Sequence, residues 1–218
     1  MTRRLAVGLL VMLITAAVPL LARAETIAFK LLPTYSRATF KSDAPLETFV
    51  GNTAGPGVAG ALTVDPASPK AAAGIVRVDL NTVRTGVDKR DADMRSKDYL
   101  DTEASEANRW AVFEIKSVET AGPLEPGKEI PAKVKGILTI KGKPVETVAD
   151  ARVTYVKLTR EQLENQDQKR WGFTTDNLKV RAKFATTFTN HGMQIPQLLF
   201  LKVSNDILLE TDLTFARQ

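Results

Sequence analysis

Hydrophobic residues recur at every second position over most of this chain, and that period limits the fold more than any other feature. From Gly74 to Leu80, Val76, Val78 and Leu80 share one face while Arg77 and Asp79 take the other. Leu178, Val180, Ala182, Phe184, Thr186 and Phe188 alternate in the same way, as do Ile207, Leu209, Thr211, Leu213 and Phe215. Successive side chains of a β-strand point to opposite faces, so each segment reads as a strand with one side on a core and one in water. Ile27 to Leu31, ended by Pro33, reads likewise, as do Ser36 to Ser42, Val58 to Val64 and Trp110 to Val118. Ile130 to Lys141 and Pro144 to Val156 pair as a hairpin across Lys141-Gly142-Lys143. Gly51 to Gly57 reads as a loop.

About eight strands with one convincing helix make an all-β fold, a barrel or a sandwich. No long-period repeat recurs, which argues against a propeller or solenoid. An antiparallel sheet of this length must pair its last strand with its first or protect its edges, and closure into a single antiparallel β-barrel is the simpler solution.

The helix falls in Arg84 to Glu103, the most charged stretch of the chain. Thr85 and Asp88 fit a capping box, and Asp91 with Arg95 and Asp93 with Lys97 are i,i+4 pairs in the favoured order. We expect a crossover covering one end of the barrel, with Val87, Met94, Tyr99 and Leu100 turned inward and the ion pairs in water. The acids could hold a cation or act as paired carboxylates, but Asp91-Ala-Asp93 lacks the glycine turn and terminal Glu of a calcium loop. Nearly every acid also has a basic neighbour, which is the pattern of a solvated face. A weaker box, Thr159 with Gln162, opens a short polar helix or excursion running to Arg170.

The first 24 residues read as an export leader. Arg3 and Arg4 precede an apolar run from Leu5 to Leu21, and Ala22-Arg23-Ala24 fits a small-x-small cleavage site after Ala24. A retained anchor is the rival, for which the run is slightly short and carries Pro19 near its end. No Cys follows the run, which excludes a lipid anchor. Cleavage removes Arg3, Arg4 and Arg23 and no acid, so the formal charge drops from +5 to +2 and no stable membrane span remains. Such a balance does not argue for nucleic acid or a strongly charged membrane surface. Residues 25–218 suit one domain.

The chain has no cysteine and one histidine, His191. Disulfides, thiolate chemistry, Cys-ligated zinc and covalent haem are excluded. The single histidine argues against a His-rich metal site and weakens any nucleophile–His mechanism. We therefore expect no catalytic residue, no metal and no cofactor. A lone loop histidine beside Gly192 is usually a surface or turn residue; a hydrolase or isomerase using it is the catalytic alternative. Trp110 and Trp171 read as core or rim aromatics, because no basic–aromatic interleaving surrounds them.

A barrel of this strand number is either filled by side chains or holds one small ligand. The apolar faces carry many small residues: Ala38, Ala59, Ala61, Ala111, Ala132, Gly136, Ala149, Ala151 and Ala182. They leave volume for an apolar guest or lie under bulky neighbours; spacing alone leaves both open.

The charged stretch carries Thr85-Gly86, Arg90-Asp91 and Met94-Arg95, followed by Tyr99-Leu-Asp-Thr-Glu103. Around it stand Phe40-Lys-Ser-Asp-Ala-Pro-Leu-Glu-Thr-Phe-Val-Gly51, Val64-Asp-Pro66, Val78-Asp-Leu80, Phe113-Glu-Ile115 and Gly136-Ile-Leu-Thr-Ile-Lys-Gly142. This ordered series resembles the YceI-like family, from about Ile27 to Phe215. The resemblance implies a lipocalin-like antiparallel β-barrel exported to the bacterial periplasm, binding a polyisoprenoid or related amphiphilic chain inside. It also implies a link to isoprenoid quinone handling and stress responses, and no shared catalytic apparatus. The chain departs from the family pattern at Ala104 to Phe113, which lacks the usual proline, and in the longer excursion from Thr159 to Arg170.

A bound isoprenoid lipid or quinone is thus the expected partner. From alternation we expect the lining to be Phe40, Val78, Leu80, Phe113, Ile115, Leu138, Ile140, Val153, Phe184 and Phe188, with Met94 above them. A one-residue register error would turn any strand's set outward. The alternative is a filled barrel acting as an envelope interaction protein for a stress or redox partner, with the charged helix, Asp91 and Arg95 included, as its recognition surface. Nothing in the sequence separates a monomer from a homodimer.

Overall fold

A computed structural model describes residues 25–165, 168–198 and 201–218. The leader read from residues 1–24 lies outside the described residues. The strands in chain order are β1 (Ile27–Leu31), β2 (Arg37–Ala44), β3 (Glu47–Thr53), β4 (Val58–Val64), β5 (Ala73–Asp79), β6 (Val83–Arg84) and β7 (Trp110–Thr120). They continue with β8 (Glu129–Ile140), β9 (Lys143–Lys157), β10 (Asp176–Thr187), β11 (Gln197–Leu198), β12 (Leu201–Lys202) and β13 (Asp206–Arg217). Three short α-helices are described: α1 (Asp88–Arg95), α2 (Glu106–Arg109) and α3 (Arg160–Asn165).

Eight of these strands close a barrel in the order β1-β4-β5-β7-β8-β9-β10-β13, with β13 returning to β1. Every pairing in the ring is antiparallel. Beyond β1, β13 also pairs with β2, and β3 and β6 follow. Register shows why. Ala28↔Thr63 and Thr39↔Asn52 belong to one continuous ladder, so β1 with β2 and β4 with β3 are halves of two long strands. Val58↔Val78 and Asn52↔Arg84 do the same for β5 and β6. Pro33 breaks the first strand, and Gly55-Pro56-Gly57 the second, where proline cannot donate to a ladder.

The closing seam has a slip. Between Leu31↔Phe215 and Arg37↔Asp212 the first strand advances six residues while β13 advances three. The surplus is taken up by the 3-10 turn Pro33–Tyr35. The buried hydroxyl of Ser36 fills the gap: it donates to the Leu32 carbonyl at 2.9 Å and accepts from the Thr214 amide at 3.1 Å.

The β8–β9 hairpin turns at Lys141 and Gly142, both with positive φ (50° and 67°), the conformation of a type I′ turn. One expected loop is instead strand: β3 runs through Gly51 to Thr53 and pairs with β2.

The interior falls into layers. At the base, Phe29, Leu31, Val58, Leu178 and Phe215 are buried together, with Phe29 and Phe215 fully inaccessible. Beside them the carboxylate of Asp176 accepts hydrogen bonds from the Tyr155 hydroxyl, from Thr175 at 2.9 Å and from Arg217 at 3.2 Å. In the middle, Val118, Ala132 and Ala151 pack with Ile115, Val153 and Ala182. At the other end, Leu80, Val83, Leu100, Leu138, Ile140, Met193 and Ile207 form the third layer. Of the small residues expected inside, Ala59 and Ala61 face outward on β4, where Val58, Gly60, Leu62 and Val64 take the inner positions.

The charged stretch departs from expectation. Its helix ends at Arg95, and Val87 rather than Thr85 caps it, with no side-chain hydrogen bond. Thr85 is engaged elsewhere: its amide and hydroxyl both donate to Asp91, at 2.8 and 2.6 Å. Asp91 is therefore buried (2 % exposed) instead of facing water beside Arg95. Asp93 pairs with Lys89 rather than Lys97, and Arg90 reaches Glu47 at 2.7 Å while lying over the Phe49 ring. Tertiary docking onto β3 has replaced most of the local i,i+4 pattern. Asp91 is thus withdrawn from the recognition surface expected of the charged helix, while Lys89 and Asp93 stay exposed on it. A further short helix, α2, is capped by Ser105 and held by a two-pronged contact of Arg109 on Asp79. The second capping box does form: the Gln162 amide donates to Thr159 Oγ1 at 3.1 Å, and the Thr159 amide to Gln162 Oε1 at 2.9 Å.

Candidate functional site

An apolar cavity occupies the α1 end of the barrel. It has two adjoining parts. An inner pocket of about 100 Å3 lies between the strand walls, and a larger space of about 350 Å3 opens above it. Phe40, Leu80, Val83, Ile140 and Leu209 line both, so the two adjoin across these side chains. The upper space is roofed on one side by Val87, Met94 and Leu100, from the segment that carries α1. Phe188, Met193, Pro196 and Val203, from the segment between β10 and β13, close the other side. Lys89, Arg90 and Asp93 are the charged groups at its rim.

The expected lining residues divide as follows. Phe40, Val78, Leu80, Phe113, Leu138, Ile140 and Phe184 line the inner pocket. Met94 and Phe188 line the upper space. Ile115 and Val153 also point inward, but they pack in the middle layer and line neither part. They lie too far along their strands toward the base. Alternation reports which face a residue takes, not its height in the barrel. Phe49, Val83, Leu209 and Ile207 were missed as lining residues. Leu209 and Ile207 carried the alternating signal; Phe49 was hidden in a stretch not read as strand.

Two glycines decide where the rings lie. A Cβ on Gly51 would stand 2.2 Å from Cε1 of Phe40, and one on Gly136 would stand 2.6 Å from the ring of Phe113. Each ring therefore lies over a residue without a side chain: Phe40 is seated against its own wall, while Phe113 is seated on Gly136 and also reaches the Phe184 ring. The alanines of the middle layer do not create this cavity. Ala132, Ala151 and Ala182 back onto a broad concavity of about 780 Å3 on the outer face, whose outward side chains include Lys133, Asp150, Arg181 and Lys183.

His191 is fully buried, not a surface residue. One ring nitrogen, Nε2, meets Thr186 Oγ1 at 2.8 Å, and Nδ1 meets the Lys143 carbonyl at 3.1 Å. Burial holds its pKa below the ordinary 6.5, against the opposing pull of main-chain carbonyls. Both nitrogens are engaged in anchoring the turn that presents Met193 to the cavity. Trp110 is half-buried and donates to Glu106 at 2.8 Å; Trp171 is exposed rather than part of a core. Among the described residues no helix is long and apolar enough to cross a membrane. Nor does any group of three or more His, Asp or Glu among them stand placed to hold a metal ion.

Comparison with known proteins bears on this arrangement. A family model described as the YceI-like domain matches residues 29–215. Among solved structures, Burkholderia cenocepacia BcnA is similar at TM-score 0.62 and 15 % identity, over 84 % of this chain and 98 % of the other. A polyisoprenoid binding domain from Saccharophagus degradans, implicated in plant cell wall breakdown, is similar at TM-score 0.62 and 15 % identity, over 88 % and 99 %. A Campylobacter jejuni YceI protein is similar at TM-score 0.57 and 18 % identity, over 77 % and 84 %. Comparison with curated proteins returns no match.

Proposed function

This chain belongs to the YceI-like family, and from that premise we propose that it is a binding or carrier protein holding the apolar chain of an isoprenoid lipid, isoprenoid quinone or similar amphiphile in the cavity beneath α1. One observation carries the reading: two adjoining apolar spaces remain at one end of a barrel whose base is filled. Each methylene buried there contributes about 0.8 kcal/mol, so a tail of a few isoprene units binds by burial alone and needs no fixed polar constellation. The polyisoprenoid-binding description of the Saccharophagus degradans domain supports the ligand class. The rim charges Lys89, Arg90 and Asp93 suit a headgroup left in water.

Export to the periplasm, with cleavage after Ala24, belongs to the same proposal and rests on the basic, apolar and small-x-small order of residues 1–24. Binding without catalysis is its chemical content, and a link to envelope stress is the family's expectation. Protein purified from the periplasm is extracted with organic solvent and the extract analysed by mass spectrometry. An isoprenoid species at near one per chain is expected; an extract free of any long-chain lipid rules the proposal out.

A further inference from the structure

The cavity is short for its barrel, and its lower end is made by two rings. Phe113 on β7 and Phe184 on β10 belong to strands with two others between them, yet their ring centroids stand 5.5 Å apart, with planes tilted by 47°. Their contact therefore spans the lumen. Both line the inner pocket, while the Ala132, Ala151 and Val118 layer beyond them lines no part of the cavity. Phe113 cannot fold away further toward its own wall, because it already lies over Gly136. A tail that reached deeper would have to turn both rings out of packed positions.

The space above the rings is limited. At about 30 Å3 for each group the size of a water, the two parts hold roughly fifteen groups. That is about three five-carbon isoprene units. We infer that the Phe113–Phe184 pair is the stop that sets ligand length. The barrel then takes an amphiphile with a buried tail of about three isoprene units, and any further length remains outside the mouth. This inference rests on the carrier reading and narrows it.

The test titrates delipidated protein with prenols of two, three, four and eight isoprene units, read by native mass spectrometry. In the wild type, affinity should climb to three units and then level, changing less than about threefold from three to eight. In Phe184→Ala and in Phe113→Ala the plateau should move to four units or beyond, with the four-unit prenol bound at least about tenfold more tightly than by wild type. Truncating a core ring can unfold a small barrel. Phe184→Leu, which keeps most of the volume, should shift the plateau in the same direction by less, and a thermal melt identifies the folded variants. Affinity that keeps climbing through eight units in the wild type overturns the inference, as does a plateau that no folded variant moves. A wild type that binds no prenol at any length overturns the carrier reading itself, a result distinct from a missing plateau.

Discussion

Gly51 lies directly opposite Phe40 in the β2–β3 ladder, and the space where its side chain would be is taken by the Phe40 ring. The nearest atoms to a Cβ there all belong to that ring, none to backbone. Gly51→Ala should therefore leave the ladder intact and push the ring off the wall into the cavity. Overpacking of this kind costs about 1–3 kcal/mol. We expect unchanged far-ultraviolet dichroism, a lower melting temperature and a marked loss of co-purifying lipid. Full lipid content in the folded variant would show that the ring has room elsewhere.

The roof depends on Asp91. Its two bonds from Thr85 tie α1 to the strand that precedes it. Asp91→Ala leaves the Thr85 donors without a partner, at a cost of about 1–3 kcal/mol confined to this region. Limited proteolysis between residues 84 and 103 should accelerate while the barrel strands stay protected. Met94→Asp should release ligand without unfolding, since Met94 faces the cavity and not the base. Ligand retained by both variants would show that α1 does not hold it in.

The base is a separate device. Asp176 is the common acceptor for Tyr155, Thr175 and Arg217. Asp176→Ala strands three donors, whereas Tyr155→Phe removes one of them and leaves the carboxylate served by the other two. Urea unfolding should rank them accordingly, with Asp176→Ala losing about 2–4 kcal/mol and Tyr155→Phe about 1 kcal/mol. Lipid content should be unchanged in both, because the cavity lies at the opposite end. Equal losses would mean that the Tyr155 bond alone carries the network.

Stability should fall with acidification in two stages. Burial keeps His191 neutral in the folded barrel below the pH at which it protonates in the unfolded chain, near 6.5. As pH falls through 6.5 the unfolded state takes up a proton that the folded state refuses, and stability drops by at most about 1.4 kcal/mol per pH unit. Above 6.5 this group contributes no slope. Asp79 is held below its ordinary 3.8 by Arg109. At Asp91 and Asp176 burial pushes the other way, but hydrogen bonds from Thr85, and from Tyr155, Thr175 and Arg217, outweigh it. Their contribution is in place above 3.8 and is lost as pH falls through that value toward the folded pKa values. Urea midpoints measured from pH 7.5 to 3 should show both limbs, and His191→Gln should flatten only the first. A midpoint that does not move between pH 7 and 5 in the wild type would contradict the buried neutral imidazole.

The barrel was legible because its signal is local. Val76, Val78 and Leu80, or Leu209 through Phe215, show their inner face in a window of a few residues, and Lys141-Gly142 shows its turn. The helix end was misread for the complementary reason. Thr85 and Asp88 satisfy the capping pattern, but Asp91 offers Thr85 two bonds inside the folded structure, and Arg90 finds Glu47, 43 positions away in sequence. Tertiary partners outbid local ones there. The cavity was legible as a face but not as a volume. Ile115 and Val153 sit on the correct side of their strands at the wrong height, and of the alanines that suggested free space Ala38 and Ala111 line the inner pocket whereas Ala132, Ala151 and Ala182 do not. What opens the cavity is Gly51 under Phe40, a pairing across strands that only the register reveals, while Gly136, diagonal to Phe113, seats the ring that meets Phe184.

The seam has a consequence for how the chain reaches this state. Phe29 pairs with Arg217, so the ring closes through the first and last strands, with almost the whole barrel as the intervening loop. Contacts of that sequence separation form slowly, because the entropy of closing the loop must be met before they stabilise anything. Until β13 is available, β1 and β10 both present unpaired edges. A chain lacking its last residues from Phe215 onward should therefore associate with other copies rather than fold alone. The same lateness keeps the ring open until β13 has been made, which suits the export proposed above.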